Sequence, residues 1–332
     1  MQPEKPAGCT SIRKGNLYGR NFDWVFDEGA EFVVKTTRRD DKWASIGVAS
    51  AVAGLTDAFV QSGVYNEAYR ILPFKLEDGI NEHGVVANIN VVPLDKGTTI
   101  GTTPTGTVEA EVCTSMLVRY ILDKFQTAKE AGEYIRDYVT VYTPKYLDEQ
   151  DYECHFMVGD KEHTYIMEII NGTVTYREYN IMTNYYLDGV TFNEDNTLYS
   201  IIDTPEHTPS VDNGLSMYSS GVERHNILAA FEGSMRERMN VILYTQTYTG
   251  EEGADFWYSE YTGLGLGIDN TVAEYEENGR IGRIKEQYIN RTRDDRNTWQ
   301  TTHSSVYNLK DLTLNIVVQE DTEHEYNYSL EN

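Results

Sequence analysis

The sequence contains no run of about 18 apolar residues, so no segment is expected to span a membrane. Basic residues are few: 28 Lys and Arg stand against 53 Asp and Glu, a formal net charge of −25. That balance argues against a nucleic-acid backbone or an anionic membrane as partner. Cysteine is scarce. The three present, Cys9, Cys113 and Cys154, are odd in number and far apart, which does not suggest a disulfide framework. Cys-x-x-Cys and His-Glu-x-x-His are both missing and the seven histidines are scattered, so no metal site is expected. The glycine-rich Thr262-Gly263-Leu264-Gly265-Leu266-Gly267 lacks the strand before it and the helix after it that a phosphate loop needs. No cofactor is expected. Internal repeats, low-complexity linkers and charge steps are also missing, so nothing marks a domain boundary. The leader Met1-Gln2-Pro3-Glu4-Lys5-Pro6-Ala7-Gly8 has no apolar segment and does not read as an intact signal peptide.

What is present begins with size. A chain of 332 residues with 40% hydrophobic content can bury a sizeable core in one large domain. Tyrosine is common, at 25 residues. Tyrosines line apolar pockets with polar tips, and they serve equally as strand residues. Cys113 lies in the apolar run 112–117 and reads as a small buried residue.

The most informative stretch is Cys9 followed by Gly19-Arg20-Asn21-Phe22-Asp23-Trp24. Thr10-Ser11-Ile12 and Leu17-Tyr18-Gly19-Arg20 flank a polar turn at Lys14-Gly15-Asn16, which predicts a tight β-hairpin. Pairing returns Arg20 and Asp23 to the neighbourhood of Cys9. Cleavage between Gly8 and Cys9 would place a thiol (pKa about 8.5) and an α-amine (about 7.7–8.0) on one residue. Those values suit proton transfer near neutral pH. Arg20 keeps its charge and favours thiolate, and Asp23 is placed to orient the ammonium. Read alone, the same residues also fit an ordinary thiol near a chain end and a surface ion pair.

Strands are expected at 31–37, 84–92, 155–159, 164–170 and 173–176, with Asn171-Gly172 as a hairpin turn. A closing hairpin is expected from 303–309 and 312–318 around Lys310-Asp311. Helical periodicity covers Ala110 to Phe125 with Val112, Met116, Tyr120 and Leu122 inward. It also covers Thr127 to Tyr138 with Ala131, Tyr134 and Ile135 inward, and Val222 to Leu243 with a break near Gly233. Residues 193–218 read as a polar surface excursion and 246–270 as loop. Strands, helices, then strands predict an α+β fold with mostly antiparallel sheets.

Cys9-Thr10-Ser11 followed by Gly19-Arg20-Asn21-Phe22-Asp23-Trp24 resembles the amino terminus of the choloylglycine hydrolase family. These are N-terminal-nucleophile amidases that include bile salt hydrolases and penicillin V acylases. Asp78-Gly79-Ile80-Asn81-Glu82-His83-Gly84-Val85 resembles the family's Asn-Glu-x-Gly-Leu turn, and Ile89-Asn90 its Leu-Asn. The segments His155 to Asp160, Met182-Thr183-Asn184 and Thr301 to Leu309 follow in the same order. The resemblance implies a four-layer αββα sandwich: a leader, 1–8, removed on maturation and a single N-terminal nucleophile hydrolase domain, 9–332. It implies Cys9 as nucleophile, its amine as proton shuttle, and Arg20 and Asp23 beside them. The side-chain amide of Asn184 and the backbone N–H of Asn90 would form the oxyanion hole, with Arg224 as a second arginine of the site. The sequence departs from the family in the eight residues before Cys9, in a shorter strand before Asn90, and by one residue in Ser219-Ser220-Gly221-Val222-Glu223-Arg224.

The expected activity is hydrolysis of a linear, non-peptide amide in a small-molecule N-acyl substrate such as a conjugated bile acid or a penicillin V-like amide, with no cofactor. Two alternatives stand beside it: acyl transfer by the same cysteine, and a catalytically silent binding protein of the same fold. A reduced thiol suits the cytoplasm; a periplasmic or secreted location stands beside it. The family's tetramers imply a homo-oligomer.

Overall fold

The structure is a computed structural model. It describes residues 9–25, 31–50, 72–92, 101–142, 153–188, 190–192, 198–201, 224–225, 228–229, 231–240, 299–318 and 321–331. In chain order the elements are β1 (Thr10–Lys14), β2 (Leu17–Val25), β3 (Glu31–Thr36), β4 (Ser45–Ser50), β5 (Asp78–Asn81), β6 (Val86–Val92), β7 (Ala110–Cys113), α1 (Thr114–Lys124), α2 (Ala128–Tyr138), β8 (Val139–Tyr142), β9 (Glu153–Gly159), β10 (Thr164–Ile170), β11 (Thr173–Glu178), β12 (Ile181–Met182), β13 (Val190–Phe192), β14 (Leu198–Ile201), β15 (Trp299–Asn308), β16 (Thr313–Val318) and β17 (Tyr326–Ser329). Helical residues also occur at 224–225, 228–229 and 235–240.

Two antiparallel sheets form the body. One has the order β12-β1-β2-β15-β16-β17, the other β11-β10-β9-β6-β5-β4-β3. Among the described strands, the small β7–β8 pair alone is parallel. Three of the apolar clusters mark the seams between four layers. Leu117, Ile121, Leu122 and Ile135 of α1 and α2 pack on Ala87, Phe156, Val158 and Met167 of the seven-stranded sheet. Between the sheets lie Tyr18, Ile46, Ile80, Val86, Met157, Ile166, Tyr307 and Leu314. On the far face, Ile12 and Ile181 meet Leu228, Phe231, Met235 and Met239. The strand period of two explains the sorting: in β6, Ala87 faces the helices while Val86 and Asn88 face the other sheet.

Turn chemistry sets the registers. Gly15, at φ +60°, lets Lys14 pair with Leu17, so β1 and β2 form a tight hairpin. Asn171 and Gly172, at φ +50° and +73°, close β10 onto β11 with Ile170 opposite Thr173, as the sequence predicts. The Asn81-Glu82-His83-Gly84 motif has a structural role. Asn81 Nδ2 donates to the Leu122 and Phe125 carbonyls at the end of α1, and its Oδ1 accepts from the His83 and Val85 amides. One side chain thus closes the β5–β6 turn and satisfies orphan helix carbonyls.

The helix expected from Ala110 begins at Thr114. Residues 110–113 pair instead with β8, so tertiary pairing overrides the local period. The buried face becomes Leu117, Val118, Ile121 and Leu122, and Met116, expected inward, is 41% exposed. The second helix agrees: Thr127 caps it by accepting from the Glu130 amide, and Ala131 and Ile135 are buried. Around Gly233 the helical residues break as expected. Within 193–218 only 198–201 is described, as β14; the 246–270 loop and the 262–267 glycines lie outside the described residues. No described helix is long and apolar enough to cross a membrane.

Gly47 on β4 stands opposite Gly79 on β5, and a Cβ at Gly47 would lie 2.5 Å from the Asp78 carbonyl oxygen. Backbone cannot yield as a side chain does. Gly47→Ala is therefore expected to cost about 1–3 kcal/mol, read as a lower urea midpoint at unchanged m.

Candidate active site

Cys9 precedes β1 and Arg20 lies on β2 opposite Ser11, so the hairpin brings them together as its spacing predicts. Cys9 is 2% exposed. Its Sγ lies 3.9 Å from Arg20 Nη2 and 3.8 Å from the Asp23 carbonyl oxygen. Side chains at 18, 20 and 22 on β2 point between the sheets. Arg20 there reaches the second sheet, with Nη1 2.9 Å from Asp78 Oδ2 and Nη2 donating to the Ile89 carbonyl at 2.6 Å. Its guanidinium covers the Phe22 ring at 4.6 Å. Asp23, buried, accepts at Oδ1 from Thr301 Oγ1 at 2.7 Å.

Arg224 ties the remaining residues to Cys9. Its Nη1 donates to the Cys9 carbonyl and to Thr10 Oγ1, each at 2.7 Å, and its Nη2 donates to Asn184 Oδ1 at 2.9 Å. A guanidinium fork presents these donors in one plane. With Oδ1 held, Asn184 has its orientation fixed. One N–H of Nδ2 goes to the Val91 carbonyl at 2.6 Å, which leaves its second amide hydrogen. The segment carrying Asn184 is pinned from below. His155 Nε2 donates to the Thr183 carbonyl at 2.7 Å, and Glu168 accepts the Leu187 and Asp188 amides.

Asn90 is gripped on both sides, since Arg20 holds the Ile89 carbonyl and Asn184 the Val91 carbonyl. The Ile89 N–H donates to Glu77 O toward β5. Alternation along β6 therefore turns the Asn90 N–H toward β9, where it stands opposite His155. The side chain faces the space between the sheets: Oδ1 accepts from Asn88 Nδ2 at 2.8 Å, and Nδ2 is buried with no hydrogen-bond partner among the described residues. A buried donor left unpaired is costly, so Nδ2 is a donor in reserve.

The electrostatics differ from the simple expectation for Arg20. Burial pushes the Cys9 thiol up; Arg20 pulls it down, Asp23 opposes Arg20, and the result is about 11. Arg20 does favour thiolate, but burial wins while Cys9 N is a peptide nitrogen. Asp78, His303, Glu31 and Tyr307 also belong to this neighbourhood, and the sequence reading did not single them out as site residues. The strand period was the available signal, since 303, 305 and 307 share the face that meets Arg20. Cys113 and Cys154 lie elsewhere and form no disulfide among the described residues. No group of three or more His, Cys, Asp and Glu suited to a metal occurs among the described residues.

Two facing antiparallel sheets between helical layers, with a buried cysteine–arginine centre at the head of the first strand, define an α+β sandwich built around a thiol. The family model for linear amide C–N hydrolases, choloylglycine hydrolase family, matches residues 9–223, and the chain belongs to that family. Its class of chemistry is hydrolysis of linear amide C–N bonds. The match opens at Cys9 and stops one residue before Arg224. Among solved structures, the chain is similar to a conjugated bile acid hydrolase from Clostridium perfringens, at 13% identity over 98% of this chain and 93% of that one, with a TM-score of 0.48. It is also similar to a penicillin V acylase from Agrobacterium tumefaciens, at 14% identity over 98% and 86%, with a TM-score of 0.45. No curated protein matches it by sequence.

Proposed function

We propose that this chain is an amidase whose nucleophile is Cys9, freed as an amino-terminal residue when residues 1–8 are removed. The observation that carries the reading is the Arg224 fork, which joins the Cys9 carbonyl, Thr10 and the Asn184 side chain in one buried cluster. The Cys9 backbone and the Asn184 amide are then held together by one guanidinium, while Arg20 lies beside the thiol.

The α-amine takes the thiol proton, and the thiolate, faced by Arg20, attacks the acyl carbonyl carbon. The tetrahedral oxyanion is met by the second N–H of Asn184 and by Asn90, through the backbone N–H that the resemblance implies, with its side-chain Nδ2, unpaired among the described residues, as a second donor on the same residue. One such donor is worth roughly 3–4 kcal/mol in the transition state. The C–N bond breaks as the ammonium passes its proton to the leaving amine. Water, losing a proton to the α-amine, then opens the thioester and releases the acid, and Cys9 is regenerated. Asp23 fits this scheme. A carboxylate near a nucleophilic thiol works against it unless a cation stands between them, and the new ammonium would be that cation.

The substrates are small N-acyl amides with an apolar acyl body, of the conjugated bile acid or penicillin V type. The burial of Cys9 is the observation that favours a second reading, a silent binding protein that never exposes the thiol. Intact mass of the wild type beside Cys9→Ala, with hydrolysis of an N-acyl amide panel, separates the two. The expected outcome is loss of residues 1–8 and hydrolysis in the wild type, with neither in Cys9→Ala. Full hydrolysis by Cys9→Ala would overturn the mechanism. An intact leader and no hydrolysis in both would support the binding protein.

A further inference from the structure

Beyond Asp78 the contacts of Arg20 continue into a buried chain of alternating charges. His303 lies on β15 opposite Phe22 of β2, and its ring stacks on Phe22 at 5.2 Å, the same ring that Arg20 covers. Its Nε2 is 2.8 Å from Asp78 Oδ2 on β5, and its Nδ1 is 2.9 Å from Glu31 Oε2 on β3. His303 and Asp78 are fully buried and Glu31 nearly so. A neutral imidazole has one N–H and one bare nitrogen. Here both nitrogens lie near carboxylate oxygens: Nε2 is hydrogen-bonded to Asp78 Oδ2, and Nδ1 is at ion-pair distance from Glu31 Oε2, which makes no aligned hydrogen bond among the described residues. Two carboxylates at ion-pair distance favour the imidazolium.

We infer that His303 is a positioning residue for Cys9: as an imidazolium it neutralises Glu31 and holds Asp78 from the side opposite Arg20, so that the guanidinium stays beside the thiol with its positive field intact. The inference rests on the reading of Cys9 as nucleophile. The groups facing His303 are Arg20 from β2, whose Nη1 is 3.4 Å from Nε2, Asp78 from β5 and Glu31 from β3. Tyr307 of its own strand donates to Asp78 Oδ1, Thr302 Oγ1 lies 3.5 Å from Nδ1, and β16 places Val318 opposite. Within this cluster two cations and two carboxylates balance; outside it Asp23 and the Lys75-paired Glu77 already oppose Arg20 at Cys9. Without the imidazolium, the cluster adds a net negative charge to theirs, and the field at Cys9 becomes less favourable to thiolate. Burial pulls the imidazole down, but Glu31 and Asp78 outweigh it and hold the pKa at about 9, so the charge persists at neutral pH. His303 lies outside the span that the family model matches.

The test reads charge rather than packing. The rate of Cys9 alkylation by iodoacetamide at pH 8, resolved from Cys113 and Cys154 by peptide mass spectrometry, reports the thiolate fraction. His303→Gln is expected to slow it roughly tenfold or more, by the Coulomb energy of one charge at this range. Glu31→Gln, on an edge strand, is expected to speed it. The double variant, which restores the charge balance, is expected to return toward the wild-type rate. A wild-type rate in His303→Gln, an unchanged or lower rate in Glu31→Gln, or a double variant as slow as His303→Gln overturns the proposal. If His303→Gln does not fold, Glu31→Gln decides alone. Amide hydrolysis is not part of the readout, so opposite rate shifts in a chain that hydrolyses nothing would separate this result from failure of the amidase reading.

Discussion

Asp78→Ala is expected to lower the stability of the chain by about 3–5 kcal/mol, the cost of breaking a buried ion pair by removing one partner. The position is unusually exposed to that penalty because one carboxylate serves three side chains. Oδ2 takes Arg20 Nη1 at 2.9 Å and His303 Nε2 at 2.8 Å, and Oδ1 takes the Tyr307 hydroxyl. Burial works against the charged carboxylate, but His303, Arg20 and Tyr307 outweigh it and keep its pKa below the usual value. Alanine would leave two buried cations without their shared partner and a phenol without its acceptor. Asp78→Asn keeps the volume and one acceptor oxygen but loses the charge, so it should recover only part of the loss. Urea melts at neutral pH followed by circular dichroism measure both; a loss below about 1 kcal/mol for Asp78→Ala would contradict the buried-pair account.

The same cluster sets a pH dependence. His303 binds its proton more tightly folded, near 9, than unfolded, near 6.5. Its contribution to stability is therefore complete below about 6.5 and lost as pH rises through 9. Cys9, held up at about 11, acts with the same sign at higher pH. Alkaline pH destabilises this core, and Asp78→Ala should flatten the slope over the histidine range.

What the sequence made legible follows from distance along the chain. The Cys9–Arg20 approach depends on one hairpin whose turn is written in Gly15, and β10–β11 depends on Asn171-Gly172; both are local. The Asp78–His303 contact joins residues 225 apart. It depends on β15 sliding between β2 and β16, and nothing near residue 303 announces that. The start of α1 failed for a related reason. Residues 110–113 have a helical period, but their backbone is claimed by 139–142, and a local pattern does not record a distant partner. Asn184 and Arg224 were legible only through family motifs; the pairing of the Arg224 fork with the Cys9 carbonyl is a long-range fact of the fold. For Asn90 the motif marks the residue, while the direction of its N–H depends on the alternation of β6 between β5 and β9, which the motif does not record.

Removal of residues 1–8 is expected to raise the reactivity of Cys9 by about a hundredfold to a thousandfold near pH 7. With the thiol held at about 11, roughly one molecule in ten thousand carries thiolate at that pH, by the ordinary titration relation. Cleavage of the Gly8–Cys9 bond weakens the two largest causes that hold the thiol up, burial and the Asp23 carboxylate. A new chain end beside Cys9 is expected to admit water and so lessen the effect of burial. The amide nitrogen becomes an ammonium, a cation bonded to the same residue and placed to offset the Asp23 carboxylate. Return of the thiol merely to its unperturbed value of about 8.5 raises the thiolate fraction to a few per cent. Iodoacetamide rates at Cys9, compared between the full chain and one whose first residue is Cys9, measure the effect. Equal rates would mean that the leader does not hold the thiol silent, and the amine would lose its place as the activating base. A large rise would make Gly8–Cys9 cleavage the step that converts a buried, protonated thiol into the nucleophile. Arg20 then needs no movement to become effective, because the cation is already 3.9 Å from the sulfur.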